Sequence, residues 1–300
     1  MKIALALATL QGLVVHGIRI VQSNDDGWAE LFTRSFNDVL RAAGHDVVLS
    51  CPASDNSGCS SFDDKPKSRV MPCQYNSCPE YAGPTGFNAS RPDLHWVNSF
   101  STTAMRYGIQ TFGPQHWGDT AELAVAGVNV GANIFLTVPF SGTVGAAVWA
   151  AGRAHIPAIA FSGDEDRRKT ARWDTFPPPP AAAVYAQLAM NLTNVVIAGG
   201  KPYLPKEVFL NVNFPRINER CSDPATFRWV LTRINPGWFS PKDVKWCGRR
   251  RLPTERRVHS KKRCYVSVSI GNARDKTTSN DVKKQQMVLD RLKSMLSCMP

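Results

Sequence analysis

The sequence predicts an α/β fold built on a mostly parallel sheet. Short apolar runs typical of buried strands alternate with helical patterns along the 300 residues. These runs end in polar loops, as strands do where an open α/β sheet binds its ligands. The 43% hydrophobic content is sufficient for a large core, and we expect one domain over residues 18–300 although this length is just beyond the usual size of a single domain.

The first residues predict a leader followed by a β-α-β unit. Residues 1–15 begin with Met1 and Lys2 and continue as an uncharged apolar stretch that is too short to span a bilayer, which is typical of a secretory signal peptide. Small residues favour cleavage after Gly17, and a cut after Ala8 is the alternative. The unit that follows has a strand at residues 18–21, a helix starting near Trp28 and a strand at residues 47–49.

The remaining chain continues this alternation after one long loop. Residues 53–93 are rich in Ser, Asp, Gly, Pro and Cys and predict a disulfide-pinned loop with a short hairpin. Beyond the loop we expect strands at residues 123–128, 156–162, 209–215 and 265–270, the last of them half-exposed, and helices that open at Ser101 and Ser141 and that cover residues 181–194 and 281–298. No second hydrophobic run that reads as a membrane span is apparent.

The cysteines and sequons predict export. Eight cysteines in a chain with a leader indicate disulfides, and none has zinc-finger spacing. Local pairs Cys51–Cys59 and Cys73–Cys78 are compatible with the spacing, which does not fix the connectivity; the other four would pair among themselves, namely Cys221, Cys247, Cys264 and Cys298. Sequons at Asn88 and Asn191 add to this interpretation. We therefore expect a secreted or vacuolar glycoprotein that is not attached to a membrane after cleavage.

The net charge of +12 is concentrated in a basic stretch at residues 242–263. This stretch could meet an anionic ligand, or it could be a solvated loop that keeps the protein soluble. Aromatic residues do not interleave with its cations in a stacking pattern, which argues against nucleic acid as a specific partner.

Four polar stretches follow successive predicted strands, and the carboxyl ends of parallel strands meet at one edge of a sheet. Asp25 and Asp26 are neighbouring carboxylates in the first stretch, although either could instead cap the following helix. Together with Ser57 and Asn129 they supply the oxygen ligands that Mg²⁺ or Mn²⁺ prefers. We expect the four stretches to converge at residues 24–27, 55–58, 127–133 and 141–144.

The last of these stretches predicts an anion site. Ser141, Gly142 and Thr143 open a helix, where free backbone N–H groups and the positive helix end suit a phosphate group. A serine-hydrolase mechanism is excluded because the sequence contains no G-x-S-x-G elbow.

In combination, these motifs resemble the SurE (survival protein E) family of metal-dependent phosphatases and nucleotidases, over about residues 18–270. The motifs are S-N-D-D-G at 23–27, a proline followed at fixed spacing by S-G within 51–60, G-V-N-V-G-A-N at 127–133, S-G-T-V-G-A-A at 141–147, I-P-A-I-A-F-S at 156–162 and L-N-V-N-F-P at 210–215. The resemblance implies a Rossmann-like three-layer sandwich. It also implies a homodimer or higher assembly, with residues 216–300 as an oligomerisation hairpin and C-terminal extension. The basic stretch lies where that hairpin would be.

The resemblance further implies hydrolysis of phosphomonoesters, including nucleoside monophosphates and sometimes short polyphosphate. One divalent ion, Mg²⁺ or Mn²⁺, would be held by Asp25, Asp26, Ser57 and Asn129, and Asp25 or Asp26 would act in catalysis. Phosphate would be bound by Ser141, Gly142 and Thr143, and the metal ligands would be oriented by Asn24 and Asn133.

Three departures from the family bear on substrate preference: residues 99–101 replace a usual G-T-P, Ile134 replaces a glycine, and Cys59 follows Gly58. Two rival functions remain, namely a metal-binding α/β protein without turnover and a transferase that uses a nucleotide sugar.

Overall fold

The computed structural model describes residues 17–299, in which one mixed sheet of nine strands is flanked by helices. The predicted signal peptide at residues 1–17 lies outside the described residues apart from Gly17. The strands are β1 (Arg19–Ser23), β2 (Asp46–Pro52), β3 (Thr85–Asn88), β4 (Arg91–Val97), β5 (Leu123–Val130), β6 (Ala158–Gly163), β7 (Val208–Phe214), β8 (Arg228–Thr232) and β9 (Tyr265–Asn272). The helices are α1 (Leu31–Ala42), α2 (Ser101–Tyr107), α3 (Gly113–Trp117), α4 (Gly142–Gly152), α5 (Pro180–Ala198), α6 (Glu255–His259) and α7 (Val282–Leu292).

The strand order is β3-β4-β2-β1-β5-β6-β7-β9-β8. Strands β4, β2, β1, β5, β6 and β7 run parallel to one another, and β8 is parallel to its neighbour β9. Among the nine strands of residues 17–299, antiparallel pairing is confined to β3 against β4 and β9 against β7. The predicted α/β fold with a mostly parallel sheet is therefore confirmed.

Helices cover both faces of the sheet and form two outer layers. Successive residues of β1 point to opposite faces, so Ile20 joins the core beneath α1 and α5 while Val21 joins the core beneath α2 and α4. The first core is aromatic, with Phe36 of α1 packed edge to face on Phe161 at 5.4 Å between ring centroids. The second is rich in alanine from α4, which lets that helix approach the strands closely.

Two C-terminal strands depart from the predicted pattern. β8 is not predicted at all, and β9 is buried along Tyr265–Gly271 rather than half-exposed. The serines of β9 are buried because they have polar partners: Ser269 Oγ lies 2.7 Å from Thr232 Oγ1, and Ser267 Oγ lies 3.2 Å from His259 Nε2. Alternation of polar and apolar residues was therefore a wrong guide to exposure here, because hydrogen-bonded serines can be buried at little cost.

Helix α5 is long and apolar enough to cross a membrane, contrary to the expectation that no second such run exists. Its most apolar window is 67% buried, and the helix packs against α1 over the sheet. The apolar composition is accounted for by this position in the core.

Three disulfides connect Cys73 to Cys78, Cys221 to Cys264 and Cys247 to Cys298. The local pair and the pairing of the last four cysteines among themselves are as predicted. The predicted Cys51–Cys59 pair is wrong: Cys51 is buried at the end of β2 as a free thiol, and Cys59 lies in the following loop, also free. Burial raises the pKa of the Cys51 thiol, which keeps it in the unreactive neutral form.

Candidate active site

Asp25 and Asp26 lie at the topological switch point of the sheet. The chain leaves β1 for β2 on one side, while β5 pairs with β1 on the other side. The helices that follow β1 and β5 therefore diverge to opposite faces, and a crevice opens where the strands end. Asp25 and Asp26 follow β1, and Asn129 lies near the end of β5. All three side chains are at most 2% exposed, so the site is built into the fold.

A threonine connects Asp25 to Asn129. The Asp25 carboxylate accepts hydrogen bonds from the backbone N–H of Gly142, at 3.1 Å, and from the hydroxyl of Thr143. The same hydroxyl oxygen lies 3.2 Å from Asn129 Oδ1. The oxygens of Asp25 and Asn129 are thus both within hydrogen-bond distance of one atom, as the predicted convergence requires.

Asp26 accepts a hydrogen bond from the backbone N–H of Val130 at 2.8 Å, which ties the end of β1 to β5. The alternative interpretation, that Asp25 or Asp26 caps the next helix, is wrong. The N-cap of α1 is Glu30, whose carboxylate accepts from the Thr33 N–H at 3.1 Å. The two aspartates are therefore not needed to start the helix.

The donor set fits a hard divalent cation. Burial raises the pKa of Asp25, and burial together with the charge of Asp25 raises the pKa of Asp26 well above its usual range. Two desolvated neighbouring carboxylates repel each other unless a cation lies between them. Within residues 17–299 there is no cluster of three His, Cys, Asp or Glu side chains suited to a metal. A set that also uses amide and hydroxyl oxygens falls outside that pattern and suits Mg²⁺ or Mn²⁺ rather than zinc.

Ser57 lies in a turn that is hydrogen-bonded to the backbone of Asp25. The backbone N–H of Asn56 donates to the backbone oxygen of Asp25 at 2.7 Å, and the Ser57 N–H donates to the Asp55 carboxylate at 2.8 Å. The structure thus places this turn at the site. No contact joins the Ser57 hydroxyl to the described carboxylates, so its role as a metal ligand stays a prediction.

The start of α4 faces the crevice, and two of its residues donate hydrogen bonds to the Asp25 carboxylate. Ser141 is the N-cap, and its hydroxyl oxygen accepts from the Val144 N–H at 3.1 Å. A Cβ added at Gly142 would lie 2.8 Å from Asp25 Cβ and 2.8 Å from Ser101 Oγ, so only glycine permits this approach. The predicted phosphate-binding roles of Ser141, Gly142 and Thr143 stay predictions, since these groups hydrogen-bond to Val144 and Asp25 here.

The two asparagines predicted to orient ligands brace the loops around the site. Asn24 donates from Nδ2 to the Gly27 oxygen at 2.8 Å and to Thr33 Oγ1 at 2.7 Å. Asn133 donates from Nδ2 to Ser162 Oγ at 2.9 Å, and its backbone N–H donates to Asn213 Oδ1 at 2.8 Å. Both asparagines are buried and fix loop positions.

Sequence reasoning missed Arg167 and Ser101. Arg167 follows β6 and is exposed, and its charge partly offsets the burial that raises the pKa of Asp25. A Cβ at Gly131 would lie 3.2 Å from Arg167 Nε, which places this side chain over the turn that follows Asn129. The Ser101 hydroxyl is buried beside Gly142 and has no hydrogen-bond partner among residues 17–299. The run of charges at residues 164–169 was the one sequence signal that could have pointed to Arg167.

Glu255 is a third missed residue. Its side chain is fully buried and accepts a hydrogen bond from Asn211 Nδ2 at 2.8 Å, and the same Nδ2 donates to the Asn133 backbone oxygen at 2.9 Å. Its other carboxylate oxygen lies 3.4 Å from the backbone N of Phe135. Glu255 therefore supports the loop between the β5 motif and α4.

Burial raises the pKa of Glu255 to about 7, which predicts a pH-dependent stability. Because the folded protein holds this proton more tightly than the unfolded chain, its contribution is complete below the ordinary glutamate pKa of about 4.5 and is lost as the pH rises through about 7. Between pH 5 and 8 the wild type should lose roughly 2–3 kcal/mol of unfolding free energy relative to Glu255→Gln. Urea denaturation at both pH values, with a chelator present, measures this difference.

The matched control for this experiment is Glu219→Gln, which alters an exposed glutamate. Its stability should change with pH as the wild type does. Parallel curves for the wild type and Glu255→Gln would show that the buried acid does not hold a proton.

Two phenylalanines lie near Ser101, the residue beside Gly142 at the start of α4. The rings of Phe62 and Phe100 pack edge to face at 5.7 Å between centroids, and Phe100 directly precedes Ser101. The Phe62 loop is fixed in place because Asp63 accepts two-pronged hydrogen bonds from Arg106 and a further one from Thr103. Phe62 is nevertheless 62% exposed, so an aromatic face is held open to solvent next to the crevice.

Comparison with known proteins agrees with this geometry. A family model described as Survival protein SurE matches residues 20–235. An acid phosphatase of Yarrowia lipolytica is 28% identical over 281 residues, which cover 84% of this chain and 78% of that protein. A 5'-nucleotidase SurE of Nitratidesulfovibrio vulgaris is 28% identical over 200 residues, which cover 67% of each chain.

A solved structure shares the fold. The crystal structure of the SurE protein from Aquifex aeolicus superposes with a TM-score of 0.58 at 17% identity, and the match covers 91% of this chain and 98% of that one. Because the family model spans most of the described residues, membership follows from it directly. The chain therefore belongs to the SurE family, and it is a phosphoric monoester hydrolase.

Proposed function

We propose that the protein hydrolyses phosphomonoesters, nucleoside monophosphates among them, with the help of one divalent ion. The observation that carries the proposal is the convergence of Asp25, Asp26 and Asn129 with the start of α4 at the switch point. The Yarrowia and Nitratidesulfovibrio relatives, an acid phosphatase and a 5'-nucleotidase, support the same class of substrate.

Asp25, Asp26 and Asn129, with Ser57 from the turn above, would hold the Mg²⁺ or Mn²⁺ ion. When bound, such an ion polarises a phosphoryl oxygen and lowers the pKa of a nearby water. The chain itself supplies the rest of the chemistry. Asp25 or Asp26 accepts the proton that the attacking water loses, and exposed Arg167 binds the substrate phosphate from the open side of the site.

Phe62 and Phe100 support a nucleotide as substrate. A nucleobase has a flat face that can stack on an aromatic ring, and this contact contributes about 1–3 kcal/mol for nucleic-acid bases. Because Phe62 is fixed by its neighbours, little conformational freedom is lost when a base stacks on it. A sugar or glycerol phosphate offers no such face.

Secretion and self-association complete the proposal. Three disulfides are compatible with an oxidising compartment, as is the resemblance to the Yarrowia acid phosphatase. We infer a secreted or vacuolar protein that forms a homodimer or higher assembly, in which residues 216–300 contribute to the interface.

Phosphate release tests the proposal. We expect AMP to be hydrolysed in the presence of Mn²⁺ or Mg²⁺, the activity to disappear with a chelator and to return when either ion is added back. Glycerol 3-phosphate should react with a KM about tenfold higher, since one stacking contact of 1–3 kcal/mol is absent. Equal KM values would overturn the nucleotide preference, and full activity in chelator would overturn the metal requirement.

The same assay distinguishes the rival functions. Binding of metal without release of phosphate would indicate a protein without turnover, and transfer from a nucleotide sugar would indicate a transferase. Arg167→Ala and Arg168→Ala form a matched pair, because neighbouring Arg168 is already paired with Asp166 at 2.6 Å. Only the first variant should raise KM.

A further inference from the structure

A basic cavity of about 650 Å³ lies beside α6, and none of its lining residues belongs to the candidate active site. Its cationic lining residues are Lys242, Arg249, Arg250, Arg251 and Arg257, and all of them are exposed. No carboxylate lines the cavity in the described part of the chain. This volume is in the range of small-molecule sites in proteins.

The acidic residues of the same stretch are buried and do not line the cavity. Asp243 is 1% exposed and accepts from Arg233 Nη1 at 3.0 Å, and Glu255 is fully buried against Asn211. Neither neutralises the cations that surround the cavity. Crowded like charges raise the energy of this loop, and an anion bound among them would relieve that cost.

The cavity wall is held in place, unlike a solvated basic loop. The guanidinium of Arg251 donates to Ser240 Oγ at 2.8 Å and to the Ser240 backbone oxygen at 3.0 Å. The backbone N–H of Asp243 donates to the Arg250 oxygen at 2.9 Å. The Cys247–Cys298 disulfide fixes the turn that precedes the arginines. The backbone of this stretch and the Arg251 guanidinium are therefore positioned before any ligand arrives, which favours binding.

Arginine provides four of the five cations, and its planar donor fork matches the oxygens of a phosphate group better than a lysine ammonium does. A single phosphate would meet only some of these side chains. We propose that the cavity binds a compact anion that carries several phosphate groups, at a site that shares no lining residue with the candidate active site.

Calorimetry with tripolyphosphate and with myo-inositol hexakisphosphate tests the proposal. The measurement uses the full chain as Asp26→Asn with a chelator present, so that neither hydrolysis nor metal affects it. We expect the Asp26→Asn protein to bind at least one of the two anions. Addition of the three substitutions Arg249→Ala, Arg250→Ala and Arg257→Ala should weaken that binding by a factor of about 30 or more, since each lost charge-assisted contact lowers affinity severalfold. Comparison of the two anions shows whether a linear or a cyclic arrangement of phosphates is preferred.

The matched control removes three cations of the same stretch that do not line the cavity, in Lys261→Ala, Lys262→Ala, Arg263→Ala. Its affinity should change less than about threefold. Equal weakening of anion binding in both triple variants would overturn the proposal, because net charge alone would then explain binding. The proposal would also be overturned if the protein bound neither tripolyphosphate nor myo-inositol hexakisphosphate. If the first triple variant does not fold, Arg257→Ala alone serves, and unchanged affinity there would be equally decisive.

These results do not depend on catalysis. A protein that binds the anions and releases no phosphate from AMP would refute the proposed function and leave this site intact.

Discussion

Replacement of Asp26 by asparagine should lower phosphate release from AMP by about 10³-fold or more. The substitution removes a charge from the carboxylate pair proposed to hold the divalent ion, and the several kcal/mol of transition-state stabilisation that such an ion provides correspond to a factor of this size. Asparagine retains an oxygen that can accept from the Val130 N–H, so the link between β1 and β5 can persist. Steady-state kinetics in saturating Mn²⁺ measures the loss.

A second readout separates loss of function from loss of fold. In chelator, Asp26→Asn should melt at a higher temperature than the wild type, because one of two neighbouring buried charges has been removed. Added Mn²⁺ should stabilise the wild type and leave the variant almost unchanged. The control Asp290→Asn alters an exposed carboxylate and should change neither property. Full activity in Asp26→Asn would refute the site.

Asp243→Ala should destabilise the protein by about 3–5 kcal/mol, the range observed when one partner of a buried ion pair is removed. Asp243 and Arg233 form such a pair, and both side chains are 1% exposed. The Asp243 carboxylate also accepts from the Leu252 N–H at 2.9 Å and from Gln285 Nε2 at 3.2 Å. The substitution would leave a buried guanidinium without its counter-ion and the Leu252 N–H without its acceptor. Urea denaturation at constant pH measures the change.

Two further variants make this prediction specific. Asp290→Ala removes an exposed aspartate and should cost less than about 0.5 kcal/mol. The double variant Arg233→Met, Asp243→Leu removes both charges at once and should be more stable than Asp243→Ala, since no uncompensated charge remains buried. An Asp243→Ala protein as stable as the wild type would show that the pair is not important for the fold.

The convergence of Asp25, Asp26 and Asn129 could be predicted because it depends on a local rule. Each polar stretch follows an apolar run, and parallel strands end at one edge of a sheet. The switch point itself could not be predicted, because the position of β1 between β2 and β5 is a property of strand order. The role of Glu30 as N-cap was missed for a related reason: Asp and Ser are preferred caps, and a glutamate caps here because tertiary packing buries it.

Long-range contacts account for the other differences. Arg167, after β6, and Ser101, at the start of α2, meet the site only after folding. Cys51 and Cys59 are close in sequence, yet Cys51 is fully buried at the end of β2 and Cys59 is partly exposed in the following loop, so both stay free. β8 is only five residues long and is preceded by a proline-containing turn, so its identity as a strand depends on pairing with β9.

The position of β9 has a consequence for synthesis on the ribosome. β9 is inserted between β7 and β8, both of which precede it in the chain. Until residues 265–272 have been translated, β7 has an unsatisfied hydrogen-bonding edge and β8 has no partner in the sheet. The nascent protein is most exposed to aggregation during that interval. Pairing of β9 closes this edge and brings Cys264, which directly precedes the strand, to Cys221 for cross-linking.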